Sequence, residues 1–167
     1  MLNMNVPMEL VKIIESFLAD RKFSVKIDKC NSSFRIANAG VSQGFCLSPT
    51  LFNIYTNDMP THPKASVSLF TDDTMFYCAN HNAQRAVIQL QQQIYLATEW
   101  FKKWRLKINE HKTIAITFGC TKPSRVRQLH INNLQIPWSS NVKNLGVIID
   151  RNLSFTTHAL NIIKKSH

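Results

Sequence analysis

Apolar residues along this chain switch between helical and strand periods, and the switches mark its elements. After Asn5-Val6-Pro7, the residues Leu10, Val11, Ile14, Phe17 and Leu18 recur at helical spacing, which predicts a helix to about Asp20 with those five on a buried face. Phe23–Ile27 and Phe34–Ile36 alternate around a polar turn that includes Asp28 and read as a hairpin. Ser48-Pro49 predicts a helix start, Ser48 at N-cap and Pro49 at N1, with Leu51, Phe52 and Tyr55 forming one apolar face of a helix over about 49–58. Residues 66–78 read as strand, tight turn, strand. Asn82 is placed to cap a long helix to about Trp104, whose core stripe is Val87, Leu90, Ile94, Ala97, Phe101 and Trp104. Thr113–Phe118 then reads as a buried strand, Gln128–Ile136 as a hairpin centred on Asn132-Asn133, Val142–Ile149 as a further strand and Thr157–His167 as a last helix. The predicted class is α+β, a small antiparallel sheet backed by helices, with no internal repeat and no low-complexity linker.

Charge divides the chain. Residues 1–100 hold eight Lys/Arg and eight Asp/Glu, whereas residues 101–167 hold twelve Lys/Arg against Glu110 and Asp150. The whole net charge of +10 therefore lies in the last two-fifths, densest at Lys102, Lys103, Arg105, Lys107, Lys112, Lys122, Arg125 and Arg127. One-sided positive charge is a footprint for a phosphate backbone, though a solvated helix face or a lipid-surface patch has the same composition. Cys30, Cys46, Cys78 and Cys120 show no paired spacing, so neither a zinc knuckle nor a disulfide framework is indicated, and Cys78 with His81 reads as structural. Apolar runs fall far below the roughly 18 residues of a membrane span. The expected setting is intracellular, nucleus or cytoplasm, without a membrane.

Chemistry concentrates in two places. Asp72 and Asp73 stand together where one apolar strand pattern ends and the next begins. Two like charges at a tight turn repel, and a hairpin tip could use Asn-Gly without that cost. A divalent cation offsets the repulsion, since Mg²⁺ prefers carboxylate oxygens and substrate phosphates; an exposed acidic turn is the plainer alternative. Upstream, Gly40 and Gly44, two of only four glycines, flank Val41-Ser42-Gln43 just before the Ser48-Pro49 helix start.

In this order of loop, helix and strand–Asp-Asp–strand, the chain resembles the reverse transcriptases of non-LTR (LINE-type, jockey-like) retrotransposons. Residues 40–58 resemble the family's Gly-Val-Pro-Gln-Gly…Leu-Ser-Pro…Leu-Phe…Tyr motif, and Phe70–Asp73 its Phe-Ala-Asp-Asp box. Trp100, Trp104, Asn109 and Lys112-Thr113 match its Trp…Trp…Asn…Lys-Thr stretch. Lys143-Asn144-Leu145-Gly146-Val147 and Asp150 match its Lys-Tyr-Leu-Gly-Val…Asp segment, and Phe17–Arg21 fits the helix end before the first motif. The likeness spans about residues 6–160. Ser42 stands where the family has Pro, and Thr71 where it has Ala.

The resemblance implies a polymerase palm-like sheet with the start of a thumb: a partial palm over 1–120, and its end with the thumb's beginning over 121–167. It implies RNA-directed DNA polymerisation by Mg²⁺-dependent nucleotidyl transfer, with an RNA template, a DNA primer and deoxynucleoside triphosphates as partners. By the same resemblance Asp72 is a bridging metal ligand, Asp73 a secondary carboxylate of the metal site that steers the primer end, and Lys112 a general acid toward pyrophosphate, or else a surface contact to phosphate. Gly40, Gln43 and Gly44 would meet template and nucleotide, with loop stabilisation the alternative for Gln43. Lys102, Lys103, Arg105, Lys107, Arg125 and Arg127 would meet the nucleic-acid backbone; Trp100 and Trp104 read as core rather than stacking platforms. No acidic residue before Gly40 ends an apolar run in the family's pattern, so the first catalytic strand and the fingers are expected to be missing and the two-metal site incomplete. The second reading is a non-catalytic, nucleic-acid-binding remnant of a degenerate retrotransposon.

Overall fold

Pro7 precedes the first helix and a glutamine-rich helix lies in the middle of the chain, which divides into two units, Met1–Asp58 and Met59–His167. The computed structural model describes residues 6–42, 44–119 and 126–165.

In the first unit, α1 (Met8–Leu18) begins after Pro7, whose carbonyl accepts from Leu10 N and Val11 N at 3.1 Å each. The expected buried face is only half formed: Val11, Ile14, Phe17 and Leu18 are half-buried, and Leu10 is exposed. A helical stripe is buried only where a facing element covers it, and this unit offers short pieces. β1 (Lys22–Phe23) pairs antiparallel with β4 (Arg35–Ile36), and β2 (Lys26–Ile27) with β3 (Cys30–Asn31). Asp28, with φ of 53°, turns the tip of this expected hairpin. α2 (Ser48–Thr56) follows the glycine loop, with Ser48, Leu51 and Thr56 buried.

The second unit holds the main apolar core. β5 (Ser66–Phe70) and β6 (Asp73–Tyr77) form a hairpin, followed by α3 (Ala83–Lys103), whose Asn82 side chain caps it by accepting from Arg85 N at 3.1 Å. β8 (Leu129–Ile131) and β9 (Leu134–Ile136) turn at Asn132, φ 51°, and supply Leu129, Ile131 and Ile136 to a cluster with Val87 and Ile94 of α3. Phe76, Leu90, Ile108, Ala115, Val126 and Trp138 pack around it.

Polar residues that the helical period assigns to solvent tie this unit together. Gln93 is fully buried; its amide accepts from His62 N at 2.6 Å and donates to Pro60 O at 2.9 Å. Gln91 accepts from His130 N at 2.8 Å and donates to His130 O at 2.9 Å, the pairing a neighbouring strand would make. Gln84 accepts from Arg127 N at 3.1 Å. Each of these satisfies backbone groups of segments that have no ladder partner there.

Three expectations need correction. Thr113–Phe118 is not one buried strand: only β7 (Ala115–Ile116) forms, half-buried and parallel to β10 (Trp138–Ser139). Val142–Ile149 is not one strand but a hairpin of β11 (Asn141–Asn144) and β12 (Val147–Asp150), turned at Leu145 (φ 47°) and Gly146 (φ 86°). Two successive positive φ values make a type I′ turn, in which leucine is an unusual first residue. Finally, among the described residues the single backed sheet is replaced by six two-stranded ladders, because most strands here are only two to four residues long. The class remains α+β. α4 (Thr156–Lys165) ends the described chain, and no described helix is long and apolar enough to cross a membrane.

Candidate catalytic and nucleic-acid site

The paired aspartates lie at the tip of β5–β6. Phe70 pairs with Asp73, so the connection is the two residues Thr71 and Asp72. Along β6 the half-buried residues are Thr74 and Phe76, while Asp73, Met75 and Tyr77 are exposed. Phe76 packs on the core cluster and so sets the register; a slip of one residue would turn Asp73 inward. No third strand joins this hairpin among the described residues, and Phe70, Met75 and Tyr77 stand 56%, 41% and 52% exposed on the same side as Asp73.

Thr71 departs from local preference. Its φ of 51° is a left-handed conformation that a β-branched residue rarely takes. Its hydroxyl lies 2.7 Å from Phe70 O and 3.0 Å from Asp72 Oδ1, and its one hydrogen serves either acceptor. The hydroxyl thus links the turn to the carboxylate it presents.

Asp72 and Asp73 offer hard oxygen ligands suited to Mg²⁺. A two-ion clamp takes carboxylates from more than one strand. Among the described residues no group of three or more His, Cys, Asp or Glu is placed to hold a metal ion. The described residues therefore do not make up a complete two-metal centre.

The glycine loop belongs to the first unit and is held at both ends. Arg21 donates through Nη2 to Gly40 O at 2.7 Å and through Nε to Leu18 O at 3.1 Å. Gly40 and Gly44 have φ of 78° and 81°, and a Cβ at either would meet nothing within 4 Å. Glycine is required there by backbone conformation rather than by space. The Phe17 and Phe45 rings stack at 4.9 Å between centroids. Ser48 is not the N-cap: Leu47 holds that position, and the Ser48 hydroxyl, already inside α2, donates to Ser42 O at 2.5 Å. The helix end thereby fastens the loop instead of capping itself. Gln43 lies outside the described residues, as does Arg125.

The cations cluster where α3 ends. Arg105 occupies the left-handed position just past the helix, φ 56°, with Arg105 N donating to Lys102 O at 3.1 Å and Leu106 N to Phe101 O at 2.8 Å. This is a Schellman ending, with arginine where glycine is usual. Lys102 pairs with Glu99 at 2.9 Å on the exposed face, and Lys103 Nζ lies 5.8 Å from the Trp104 ring centroid. Lys107 and Arg127 are exposed. Lys112 is also exposed, on a 3₁₀ turn (Glu110–Lys112) capped by Asn109, whose Oδ1 accepts from Lys112 N at 3.3 Å. No ion pair joins Lys112 to Asp72 or Asp73. Trp100 is buried at 6% exposure, beside Phe101 at 5.4 Å, which makes it a core residue.

Asp150 serves a different end. Its carboxylate accepts from Asn152 N, Ser154 N, Ser154 Oγ and Phe155 N at 2.7–3.1 Å, fixing the turn into α4. The Ser154 amide above all, with the other donors, holds its pKa below the ordinary 3.8.

A model of the reverse transcriptase (RNA-dependent DNA polymerase) family matches residues 1–149. This chain belongs to that family. It is 30% identical over 164 residues to the RNA-directed DNA polymerase from mobile element jockey of Drosophila melanogaster, covering 93% of this chain and 18% of that protein. It is 34% identical over 161 residues to the jockey polymerase of Drosophila funebris, covering 90% and 17% respectively. The probable RNA-directed DNA polymerase from transposon BS of Drosophila melanogaster is 30% identical over 155 residues, 87% of this chain and 17% of that one. The chain thus spans less than a fifth of the curated relatives it matches. No solved structure matches it.

Proposed function

We propose that this chain works within an RNA-directed DNA polymerase of a mobile element, as the part that presents the Asp-Asp hairpin and grips the primer–template. The observation that carries the reading is the Asp72–Asp73 tip: two exposed carboxylates, one on the two-residue turn and one opening β6, their register set by Phe76 against the core. In this reading Asp72 and Asp73 contribute ligands for Mg²⁺, and the remaining ligand comes from outside the described residues. Gly40, Gln43 and Gly44 face the template and nucleotide, and Lys112 is the acid for the leaving pyrophosphate. Residues 1–120 supply palm, and 121–167 its end and the thumb's beginning. RNA template, DNA primer and deoxynucleoside triphosphates are the partners, met in the nucleus or cytoplasm.

Lys103, Arg105, Lys107 and Arg127 then bind the nucleic-acid backbone, with Lys102 partly occupied by Glu99. Each neutralised phosphate releases counterion, so log affinity for duplex DNA falls with log salt by about 0.9 per contact. Titrating labelled duplex across a salt series tests this. Lys103→Ala, Arg105→Ala or Lys107→Ala should each lower the slope by roughly one unit, alike for all sequences, and Lys102→Ala by less. A slope indifferent to these changes would remove the basic segment from the interface.

A further inference from the structure

The first hundred residues are neutral on average, but their cations are not evenly spread. Of eight Lys/Arg in residues 1–100, five lie between Arg21 and Arg35, where Asp28 is the sole acidic residue. Lys22, Lys26, Lys29 and Arg35 all sit on the β1–β4 hairpin, all are exposed, and none forms an ion pair among the described residues. On the same hairpin Phe23 is 49% and Phe34 75% exposed.

The arrangement of charge and ring is informative. Paired residues on opposite strands share a face. Phe23 pairs with Arg35, and Lys22 with Ile36, so each face of the β1–β4 ladder carries one cation and one apolar side chain. A hairpin built to join a protein core segregates its apolar residues to one face and its charges to the other. Mixing them on both faces suits a polyanion that also has flat apolar surfaces, and a single nucleic-acid strand is such a ligand: phosphates for the cations and bases for the rings. A duplex hides its bases in the stack and offers the rings nothing.

The hairpin is also fastened to the loop before α2. Ala37 N donates to Arg21 O at 2.8 Å, closing the hairpin's base, and the Arg21 guanidinium holds the Gly40 carbonyl. We infer that the β1–β4 hairpin is a contact for single-stranded nucleic acid, continuing within its own unit the template contact of the Gly40–Gly44 loop. This rests on the polymerase reading above, but its residues are separate from the basic segment after α3.

The test uses the whole chain with a labelled single-stranded RNA of about 16 nucleotides, within the site sizes of such platforms, and a duplex of the same sequence. The double variant Phe23→Ala/Phe34→Ala should weaken RNA binding by about fivefold or more, the lower end of what base stacking on an aromatic contributes. Duplex affinity should stay unchanged, and Phe23→Tyr/Phe34→Tyr should restore RNA binding. Lys22→Ala/Arg35→Ala should weaken both ligands and lower their salt slopes. All four side chains are exposed, so an unchanged circular dichroism spectrum separates lost contact from lost fold. If the alanine pair binds RNA as the parent does while Lys103→Ala/Lys107→Ala still weakens binding, this inference fails and the polymerase reading stands. A parent chain that binds neither ligand overturns both. Hairpin-dependent binding to phosphatidylserine vesicles without RNA binding would replace the strand by a lipid surface.

Discussion

Hairpins β1–β4 and β8–β9 each carry apolar residues on both strands and turn through one residue in the left-handed region, Asp28 in the first and Asn132 in the second. Their fates differ. In β8–β9, Leu129, Ile131 and Ile136 are buried to 1%, 6% and 4% exposure against α3, whereas every residue from Lys22 to Ile36 is exposed. The difference lies in what stands between the apolar residues. β8–β9 intersperses His130 and Gln135, and His130's backbone is taken up by Gln91; β1–β4 intersperses lysine and arginine. Alternation builds a hairpin, and the interleaved residues decide whether it joins a core or meets a ligand.

The largest effects should come from the buried member. Leu129→Ala should cost about 2–5 kcal/mol, the range for truncating a well-packed core leucine, while Phe34→Ala stays within about 0.5 kcal/mol as an exposed change. Urea midpoints of the two variants measure the contrast. Equal shifts would mean that the first hairpin is covered by contacts its exposure does not show.

The buried Gln93 of α3 should show an intermediate effect. Gln93→Ala leaves the His62 amide and the Pro60 carbonyl without their partner and should cost about 1–3 kcal/mol. Gln92→Ala, one position away and exposed, should change little. A Gln93 variant as stable as the parent would show that water replaces both bonds.

The smallest effect is the pH response at Asp150. Its pKa is lowered in the folded chain, so its contribution is present above the ordinary carboxylate value and is lost as pH falls through the lowered one. Amide exchange at Ser154 and Phe155 should quicken over that acid range. Asp150→Asn should abolish the pH dependence, since an amide keeps no charge to lose.

These contrasts also mark what was readable in the chain. The α3 helix with its Asn82 cap, the Asp28 and Asn132 turns and the Asp-Asp hairpin all follow from period and turn chemistry. Gln91 and Gln93 were not readable, because amphipathic spacing assigns polar residues outward and cannot see a backbone waiting for them. The Leu145-Gly146 turn was hidden by a leucine in a conformation it disfavours, and Ser48 by a hydroxyl that bonds backward to Ser42 instead of forward into its helix. For α1 the period named the right stripe, but a stripe alone does not say whether a facing layer covers it. At the candidate site, residue types and order were legible, while the fastening of the loop by Arg21 and Phe45 depended on three-dimensional closure.

In the proposed reading Asp72 and Asp73 are two carboxylates of a polymerase centre on one hairpin, and among the described residues no group of three or more His, Cys, Asp or Glu is placed to complete the two-ion clamp. Primer extension by the purified chain, supplied with RNA template, DNA primer, deoxynucleoside triphosphates and either Mg²⁺ or Mn²⁺, tests it most directly. The parent chain should give no incorporation above background, the same as Asp72→Asn. Incorporation by the parent chain that disappears in Asp72→Asn would contradict it.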